Sequence, residues 1–246
     1  SDLTACSDDL AQRAVGLGAD RARVSVVAYG VDDARFRPHP PTRARVRAAH
    51  GMPEDAPIVI AAGRLVRKKG FEYLVDAVGE LATDWPRLTL VIAGDGELAT
   101  ELRQRAEQRG IRDRVRFTGA VSQDEIADWL AAADVAAVPS GRDDAGNVDG
   151  LPNSLLEALA SGTPVVATPA GGSSAVAIDG QTALVVPERD VDGLASAITR
   201  LLHEPETART LGHAARAAMR QAHGWSRVAE QFEQAYERAG ARGTHA

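Results

Sequence analysis

The sequence predicts an α/β fold in which a mostly parallel sheet carries helices on both faces. Apolar runs of four to six residues alternate along the 246-residue chain with segments of helical periodicity, an order typical of parallel α/β proteins. The runs are almost continuously apolar, as strands are when both faces of the sheet are covered. Several runs end at Gly or Pro, and ligands of such sheets bind at the carboxyl ends of the strands. We therefore expect the chemistry of this protein at those strand ends.

Each element follows from one of these two patterns. The predicted strands are rich in Val, Ile, Leu and Ala and cover 24–28, 58–61, 88–93, 115–118, 135–138, 164–168 and 183–186. Between them, apolar residues three and four apart predict helices over 71–82, 97–109, 123–132, 152–161 and 190–203. Two further helices, 206–222 and 225–239, follow Pro205 without an intervening strand.

The composition argues against several classes of protein. Lys and Arg number 28 against 34 Asp and Glu, for a net charge of −6, whereas nucleic-acid-binding proteins carry a basic excess. The single cysteine, Cys6, excludes an intramolecular disulfide and a cysteine-based zinc site. No apolar run reaches the length of a membrane span, and no signal peptide is recognisable, so we expect a cytoplasmic protein. Only Lys68 and Lys69 are lysines in a chain that otherwise uses Arg, which suggests a local requirement.

A proline-rich boundary near residues 35–57 divides the chain. Pro38 and Pro40 precede an Arg-rich stretch and the segment 52–57, which together predict a linker before a domain that starts at Ile58. The part before the boundary holds one expected helix and one strand, too little to fold alone. We therefore assign the chain as 1–37, the tail of a missing N-terminal domain with its linker; 38–222, the main domain; and 223–246, a C-terminal helix.

The C-terminal helix has apolar residues at helical spacing, namely Trp225, Val228, Phe232 and Tyr236. Two partners for this apolar stripe stay open. The helix crosses back onto the missing domain, or it packs against the domain present here.

A basic stretch over 63–71 lies between a predicted strand and a predicted helix. Gly63 ends the strand, and Arg64, Lys68 and Lys69 place positive charge near the N-terminus of the helix. Cations at a helix N-terminus form an anion site, and two of them on a diphosphate stabilise both its binding and its departure. The alternative is a solvated basic turn, but the strand-end position and the rare lysines favour a functional site.

The stretch 149–164 brings two carboxylates to one helix N-terminus. Asp149 precedes the turn at Gly150 and Pro152, and Glu157 lies about one turn inside the helix. Free N–H groups there attract phosphate, while carboxylates accept hydrogen bonds from sugar hydroxyls. The alternatives are a capping role for Asp149 and a surface position for Glu157. The apolar residues around Glu157 favour a function, because a buried carboxylate without a partner is costly.

Three other patterns carry weaker signals. The turn 94–96 half-matches a dinucleotide-binding fingerprint, but Ala99 replaces its third glycine, so we expect a tight turn facing the cleft and no nicotinamide site. The loop 171–174 offers backbone amides to a phosphate or is an ordinary loop. The acidic triplet 190–192 fits a helix N-cap. No two of the six histidines lie at metal-ligand spacing, so no metal ion is expected.

Taken in order, these segments resemble the C-terminal domain of retaining glycosyltransferases of family four, which have the GT-B fold. The resemblance covers residues 1–240 and rests on 63–70, 91–96, 115–119, 134–140 and 149–164. The segment 29–38 is similar to the link between the two halves of this family. The resemblance implies a Rossmann-like domain, one half of a GT-B fold, that binds the sugar donor.

The functional residues of the family carry over to positions of this sequence. Arg64 and Lys69 match the basic pair that holds the donor diphosphate and stabilises it as a leaving group, and Lys68 is interpreted as an exposed neighbour. Asp149 stands at the first acidic position, beside the donor sugar, and acts in catalysis with the basic pair. Glu157 matches the second glutamate, which binds the ribose hydroxyls. The resemblance further implies donor contacts by Gly63, Gly94, Gly119, Val121, Gly150, Leu151, Asn153 and Ser154.

The expected function is transfer of a sugar from a UDP- or GDP-linked donor, with retention of the anomeric configuration and without a cofactor. The missing N-terminal domain is expected to bind a saccharide, lipid or small-molecule acceptor, to make any contact with a membrane surface, and to be needed for turnover. Asp149 is shorter than the family's glutamate, Pro152 lacks an N–H, and Ala175 replaces a glutamate. Asp149 and Ala175 give some weight to a rival, a non-catalytic nucleotide- or anion-binding module. A sugar-nucleotide epimerase is a second rival, but the spacing of the basic and acidic pairs fits a transferase better.

Overall fold

The computed structural model of the chain describes residues 2–243 and the side chains of residues 2–240. Residue 1 and residues 244–246, which include His245, belong to the predicted terminal segments and lie outside the described residues. The strands of the described chain are β1 (Leu3–Ala5), β2 (Val24–Val26), β3 (Ile58–Ala62), β4 (Thr89–Ala93), β5 (Val115–Gly119), β6 (Val135–Val138), β7 (Val165–Ala167) and β8 (Leu184–Val185). The α-helices are α1 (Asp8–Gly16), α2 (Pro40–Ala49), α3 (Phe71–Leu81), α4 (Ala99–Gln108), α5 (Gln123–Ala132), α6 (Asn153–Ala160), α7 (Val191–His203), α8 (Pro205–Ala222) and α9 (Trp225–Gly243).

Six strands form one parallel sheet in the order β5-β4-β3-β6-β7-β8, which confirms the predicted fold class. The chain winds outward from β3 through β4 to β5, and then from β6 through β7 to β8 on the other side. The order reverses between β3 and β6, and such a reversal opens a crevice at the carboxyl ends of the strands. Every predicted strand and helix is present, and all predicted ends except that of the last helix lie within two residues of the observed ones.

Alternate residues of the central strands face opposite layers of helices. In β3, Val59 and Ala61 pack into the cluster that α3, α4 and α7 cover. Ile58 and Ile60 pack into the cluster beneath α5, α6 and α8. Because all four side chains are buried, every position of the strand is apolar, and this explains the continuous apolar runs in the sequence.

The N-terminal unit, made of β1, α1 and β2, is a small βαβ arrangement outside the main sheet. β1 and β2 pair in parallel, and Ala5, Ala11 and Val24 form a core of their own. The expectation of one helix and one strand in this region is wrong, because β1 had not been expected. A strand of three residues, of which only the last is buried, leaves no apolar run for the sequence to show.

The helix α2 occupies part of the stretch that was predicted to be a linker. It begins at Pro40. Proline fits the first turn of a helix because the N–H groups there have no intrahelical acceptor, so the missing N–H of proline costs no hydrogen bond. The side chain of Arg47 is only 3% exposed and reaches Asp134, just before β6, with an Nη2–Oδ2 distance of 2.6 Å. The linker prediction is therefore wrong over α2, and the main domain begins before Ile58.

The last helix, α9, runs from the end of α8 back to the N-terminal unit. Arg238 Nη2 lies 3.3 Å from Oγ of Ser25 in β2. Of the apolar stripe, Val228 is buried against this chain, whereas Trp225 and Tyr236 are exposed. None of the helices in the described chain combines the length and the apolar character that crossing a membrane requires.

Candidate functional site

A cleft of about 600 Å³ opens at the carboxyl ends of the strands, where the strand order reverses. The loops after β3, β4, β5 and β6 form its floor, and the N-terminal unit closes one side. Most of the predicted site residues meet here, since the cleft is lined by Gly63, Arg64, Lys69, Gly94, Val121, Asp149, Gly150, Leu151, Asn153, Ser154 and Glu157. Gly119 does not line the cleft. Its carbonyl oxygen accepts a hydrogen bond from Gly94 N at 2.9 Å, so it supports the neighbouring turn.

The cleft also has walls that the sequence did not reveal. Cys6, Leu10 and Tyr29 reach it from the N-terminal unit and the segment that follows, and Ile126 reaches it from α5. A Cβ on Gly150 would lie 2.5 Å from Leu10 Cδ1, so this glycine lets the N-terminal unit approach the loop before α6. No local pattern marks these residues, because only tertiary packing brings them to the cleft.

The basic stretch after β3 is folded into a fixed turn. Arg67–Lys69 form one turn of 3₁₀ helix, and Gly70 ends it with a φ of 64°, a left-handed conformation that glycine adopts readily. A Cβ on Gly70 would overlap the carbonyl oxygen of Pro139, just after β6. Gly141 N donates a hydrogen bond to Lys68 O at 2.9 Å. The turn is therefore held against the segment that directly follows β6.

Asp149 binds both lysines of the chain. Lys68 Nζ lies 2.9 Å from Oδ1, and Lys69 Nζ lies 2.6 Å from Oδ2. Burial raises the pKa of Asp149, but the attraction and hydrogen bonds of Lys69 and Lys68 outweigh burial, and the pKa lies below its ordinary value. The carboxylate is therefore ionised at neutral pH. The interpretation of Lys68 as an exposed neighbour is wrong, since its side chain is 23% exposed and ion-paired.

Arg64 supplies the exposed positive charge of the cleft. Its side chain is exposed, and none of the described carboxylates pairs with it. Its backbone is fixed, because the next residue, Leu65, donates its N–H to Asp95 O at 2.9 Å. An incoming anion therefore finds Arg64 free, whereas Lys69 must exchange Asp149 for the anion.

Glu157 is an acceptor without a donor. It lies on α6 between the buried side chains of Leu156 and Ala158, and it lines the cleft. Within the described part of the chain, its carboxylate has no hydrogen-bond or ion-pair partner. Burial raises the pKa of Glu157, and the positive charge of Lys69 offsets this only in part. Such a carboxylate is suited to accept hydrogen bonds from the hydroxyl groups of a ligand.

The N-terminus of α6 opens into the same cleft. The N–H groups of Asn153 and Ser154, which both line the cleft, have no acceptor among residues 2–243, as is usual in the first turn of a helix. Pro152 precedes them, and its carbonyl oxygen accepts a hydrogen bond from Leu155 N at 3.1 Å. The free N–H groups and the positive end of the helix dipole favour an anion at this point.

Gly94→Ala is expected to lower the free energy of unfolding by about 2 kcal/mol. Gly94 has a φ of 144°, and a Cβ there would overlap the carbonyl oxygen of Gly63, so the turns after β3 and β4 would separate. Urea denaturation measures the loss. The control is Gly110→Ala, because Gly110 also has a positive φ, 69°, but has nothing within 4 Å of the added Cβ. We expect about half the loss there, and equal losses would mean that the contact with Gly63 is unimportant.

Glu157→Gln is expected to stabilise the fold at pH 7 by about 1 kcal/mol and to have no effect at pH 4. Burial raises the pKa of Glu157 in the folded chain. The stability that this group contributes is therefore present below its unfolded pKa of about 4.3 and is lost as pH rises through the folded value. At pH 7 the natural chain carries a half-buried charge that glutamine lacks. Thermal unfolding at the two pH values measures the difference.

The control for this measurement is Glu80→Gln, which changes an exposed side chain of α3. We expect it to alter the stability at neither pH. A Glu157→Gln chain that unfolds more easily at pH 7 would mean that the carboxylate has a stabilising partner.

Residues 42–218 match the family described as glycosyl transferases group 1. The chain is 39% identical over 188 residues to a GDP-mannose-dependent alpha-(1-6)-phosphatidylinositol monomannoside mannosyltransferase of Mycolicibacterium smegmatis. This match covers 76% of this chain and 49% of that protein. The chain is also 37% identical over 252 residues to D-inositol 3-phosphate glycosyltransferase 2 of Catenulispora acidiphila, in a match that covers 96% of this chain and 56% of that protein. The chain thus spans about half the length of these relatives.

Solved structures share the fold. Sucrose-phosphate synthase of Thermosynechococcus elongatus is similar with a TM-score of 0.82 and 30% identity, over 97% of this chain and 58% of that one. HepE of Anabaena, solved in complex with UDP-glucose, is similar with a TM-score of 0.85 and 23% identity, over 98% of this chain and 64% of that one. At the lower identity, the likeness to HepE concerns the fold alone.

Proposed function

The chain belongs to the glycosyl transferases group 1 family, and from this premise we propose that its cleft binds the nucleotide-sugar donor of a retaining sugar transfer. The observation that carries the proposal is the meeting in one cleft of about 600 Å³ of Arg64, Lys69 and Glu157, whose carboxylate has no partner among the described residues. A nucleoside diphosphate presents a charged diphosphate and a ribose with neighbouring hydroxyls. The cations of the cleft complement the first, and the carboxylate complements the second.

We place the diphosphate between Arg64, Lys69 and the start of α6. Arg64 has no counter-ion among the described residues, and the N–H groups of Asn153 and Ser154 add donors that the chain itself does not use. A hydrogen bond to a charged group contributes about 1.5–3 kcal/mol. The same groups offset the negative charge that builds on the diphosphate as its bond to the sugar breaks. The transfer we propose therefore uses no metal ion.

The ribose and the base occupy the remaining length of the cleft in this proposal. Glu157 accepts hydrogen bonds from the ribose hydroxyls, which supply the donors that its carboxylate lacks. Val121 and Ile126 line the cleft and offer an apolar surface to the base. The half-buried position of Glu157 is costly in the free chain, and a ligand that satisfies its carboxylate recovers part of that cost.

Retention of configuration limits what the chain must supply to the reaction. The bond from the anomeric carbon to the acceptor oxygen forms on the face from which the diphosphate oxygen departs. On that face the departing oxygen lies next to the acceptor hydroxyl and takes its proton. The proposed contributions of the chain are thus orientation and charge, with Arg64 and Lys69 on the leaving group and Asp149 beside the sugar.

The names of the relatives suggest which substrates to test first. One relative is named as GDP-mannose-dependent and as acting on phosphatidylinositol monomannoside, and another is named for D-inositol 3-phosphate. We propose GDP-mannose as the first donor for this chain and UDP-glucose, which HepE binds, as the second. An inositol-bearing acceptor fits both names, and we assign its binding to the part of the relatives that this chain does not span.

A nucleotide-binding module without transferase activity is the second candidate. Asp149 favours it, because both of its oxygens are ion-paired with lysines in the free chain. A complete protein that transfers sugar, and loses this activity on Lys69→Ala, would support the enzyme. A complete protein without transfer to any inositol-bearing acceptor would support the module.

Isothermal titration calorimetry of this chain with GDP, UDP and ADP tests the proposal. We expect at least one of them to bind, and we expect Glu157→Gln to weaken that nucleotide about tenfold. The matched ligand is the 2′,3′-dideoxy form, which should bind the natural chain and the variant equally, because it lacks the hydroxyls that Glu157 accepts. If no nucleotide binds, the donor-site proposal fails. If the variant loses affinity for both forms alike, Glu157 does not contact the ribose.

A further inference from the structure

In the described chain, three carboxylates each bind two basic residues, and one of the three differs from the others in the type of basic residue that it binds. Asp149 binds the only two lysines of the sequence. The other two carboxylates, neither of which lines the cleft, bind arginines: Asp76 binds Arg105 and Arg109, and Asp134 binds Arg43 and Arg47. Since arginine is the ordinary basic residue of this chain, the lysines at Asp149 call for a reason at that site.

The two lysines make separate contacts with Asp149. Among the arginines, Arg105 uses Nε and Nη2 on the two oxygens of Asp76, a rigid fork whose contacts form and break together, whereas Arg109, Arg43 and Arg47 each contact their carboxylate through one nitrogen. Each lysine makes a single contact with Asp149, Lys68 on Oδ1 and Lys69 on Oδ2. One lysine is therefore free to leave Asp149 while the other stays.

The two lysines also differ in what else they reach. Lys69 lines the cleft, and Lys68 does not. The backbone of Lys68 is held by the hydrogen bond from Gly141 N to its carbonyl oxygen, at 2.9 Å. Lys69 is thus the lysine that an anion in the cleft contacts. Lys68 binds Asp149 from outside the cleft.

We propose that Lys68 is a positioning residue for the donor sugar, which keeps Asp149 in place when Lys69 moves to the diphosphate. The inference rests on the proposed function. Departure of Lys69 frees Oδ2, and this oxygen then accepts a hydrogen bond from a hydroxyl of the sugar. Without Lys68, the same move would leave the largely buried Asp149 with no counter-ion, which is costly. This cost applies to the nucleoside diphosphate and to the nucleotide-sugar alike, and the nucleotide-sugar also loses the hydrogen bond that Asp149, held in place by Lys68, makes to the sugar.

The test compares a nucleotide-sugar with its own nucleoside diphosphate on the same chain. Calorimetry gives the dissociation constants of GDP-mannose and GDP, or of UDP-glucose and UDP if the natural chain binds the uridine pair more tightly. We expect Lys68→Met and Lys68→Gln to weaken both ligands, and to weaken the nucleotide-sugar about tenfold more than the nucleoside diphosphate. Lys68→Arg keeps the charge and is expected to restore the nucleotide-sugar to within about threefold.

Arg67→Met is the matched control, because Arg67 belongs to the same turn but pairs with Glu101 and does not line the cleft. We expect it to change neither ligand. If Lys68→Met weakens both ligands equally, or neither, the positioning role is overturned while the donor site stands. If the natural chain binds no nucleotide, the proposed function fails and this inference fails with it.

A double substitution separates positioning from a general structural effect. In a chain that carries Asp149→Asn, Lys68→Met is expected to cause no further loss of nucleotide-sugar affinity, because the residue through which it acts has lost its charge. A second loss of about tenfold in that background would show that Lys68 acts by another route, and would overturn the proposal. Thermal unfolding of each variant verifies that the fold is retained.

Discussion

Lys69→Met is expected to weaken the binding of a nucleoside diphosphate about hundredfold, the largest loss of affinity that we expect from one substitution in the cleft. Two effects add. The variant lacks one of the two cations that we place on the diphosphate. It also leaves Asp149, which is 13% exposed, with Lys68 as its only counter-ion among residues 2–240, so that the negative charge of this carboxylate is less well offset where the anion must bind.

Calorimetry with GDP and UDP measures this effect, and its dependence on salt shows whether contacts between charges cause it. Because the lost contact is between charges, the natural chain should lose more affinity than the variant as the salt concentration rises. Arg67→Met removes a positive charge from the same turn but not from the cleft, and we expect it to change the affinity by less than about twofold. Similar losses in both variants would mean that net charge alone determines binding, without a defined contact by Lys69.

Asp149→Asn should act on the nucleoside diphosphate in the opposite direction. Lys69 is held by Asp149 at 2.6 Å in the free chain, and a diphosphate must break this contact. Without the carboxylate charge, the lysine is released at lower cost and the diphosphate meets less repulsion. One ion pair thus contains two residues whose removal has opposite effects on the same ligand, which general damage to the fold would not produce.

The parts of the site that follow from strand ends could be predicted from the sequence. A parallel sheet brings the carboxyl ends of all its strands to one edge, so Gly63, Gly94 and Asp149 were expected to meet although they are distant in the chain. Val121 was expected beside them from the family resemblance. The two binding groups of the proposed donor site, the basic turn and Glu157, belong to this class. Their prediction required only the order of the elements and the chemistry of the side chains.

Contacts that depend on the conformation of a short turn could not be predicted. In the 3₁₀ turn Arg67–Lys69, successive side chains point in different directions, yet Lys68 and Lys69 converge on one carboxylate while Arg67 turns away to Glu101. The sequence shows only three adjacent cations. Which of them face inward is determined by Gly70 and by the hydrogen bond from Gly141 to the turn.

The helix α2 escaped prediction because its buried face is partly charged. Helical periodicity is recognised by apolar residues, and among the buried positions of α2 only Val46 is apolar while its neighbour is Arg47. The two prolines at its start read as a linker, although the first turn of a helix tolerates them. A buried arginine with a complete set of partners has no signature in a sequence of 28 basic residues.

The ion pair that anchors α2 gives the largest change in stability that we expect, since Asp134→Ala should lower the free energy of unfolding by about 3–5 kcal/mol. Asp134 accepts hydrogen bonds from Arg43 Nη2 at 2.6 Å, from Arg47 Nη2 at 2.6 Å and from Ile58 N at 2.8 Å. Its removal leaves the buried guanidinium of Arg47 without a counter-ion. It also leaves the first N–H of β3 without an acceptor.

Urea denaturation of the chain measures this loss, and Asp55→Ala is the matched control. Asp55 also binds an arginine, Arg87, but both side chains are exposed, and exposed pairs contribute little because water screens them and ordering two side chains has a cost in entropy. We therefore expect the control to leave the free energy of unfolding unchanged within error. If the Asp134→Ala chain unfolded at the same urea concentration as the control, α2 would be held by its apolar contacts alone. The large loss is expected because Arg47 occupies a buried position in the contact between α2 and the domain, where an apolar residue is usual. An ionised side chain stabilises such a contact only while its counter-ion is present.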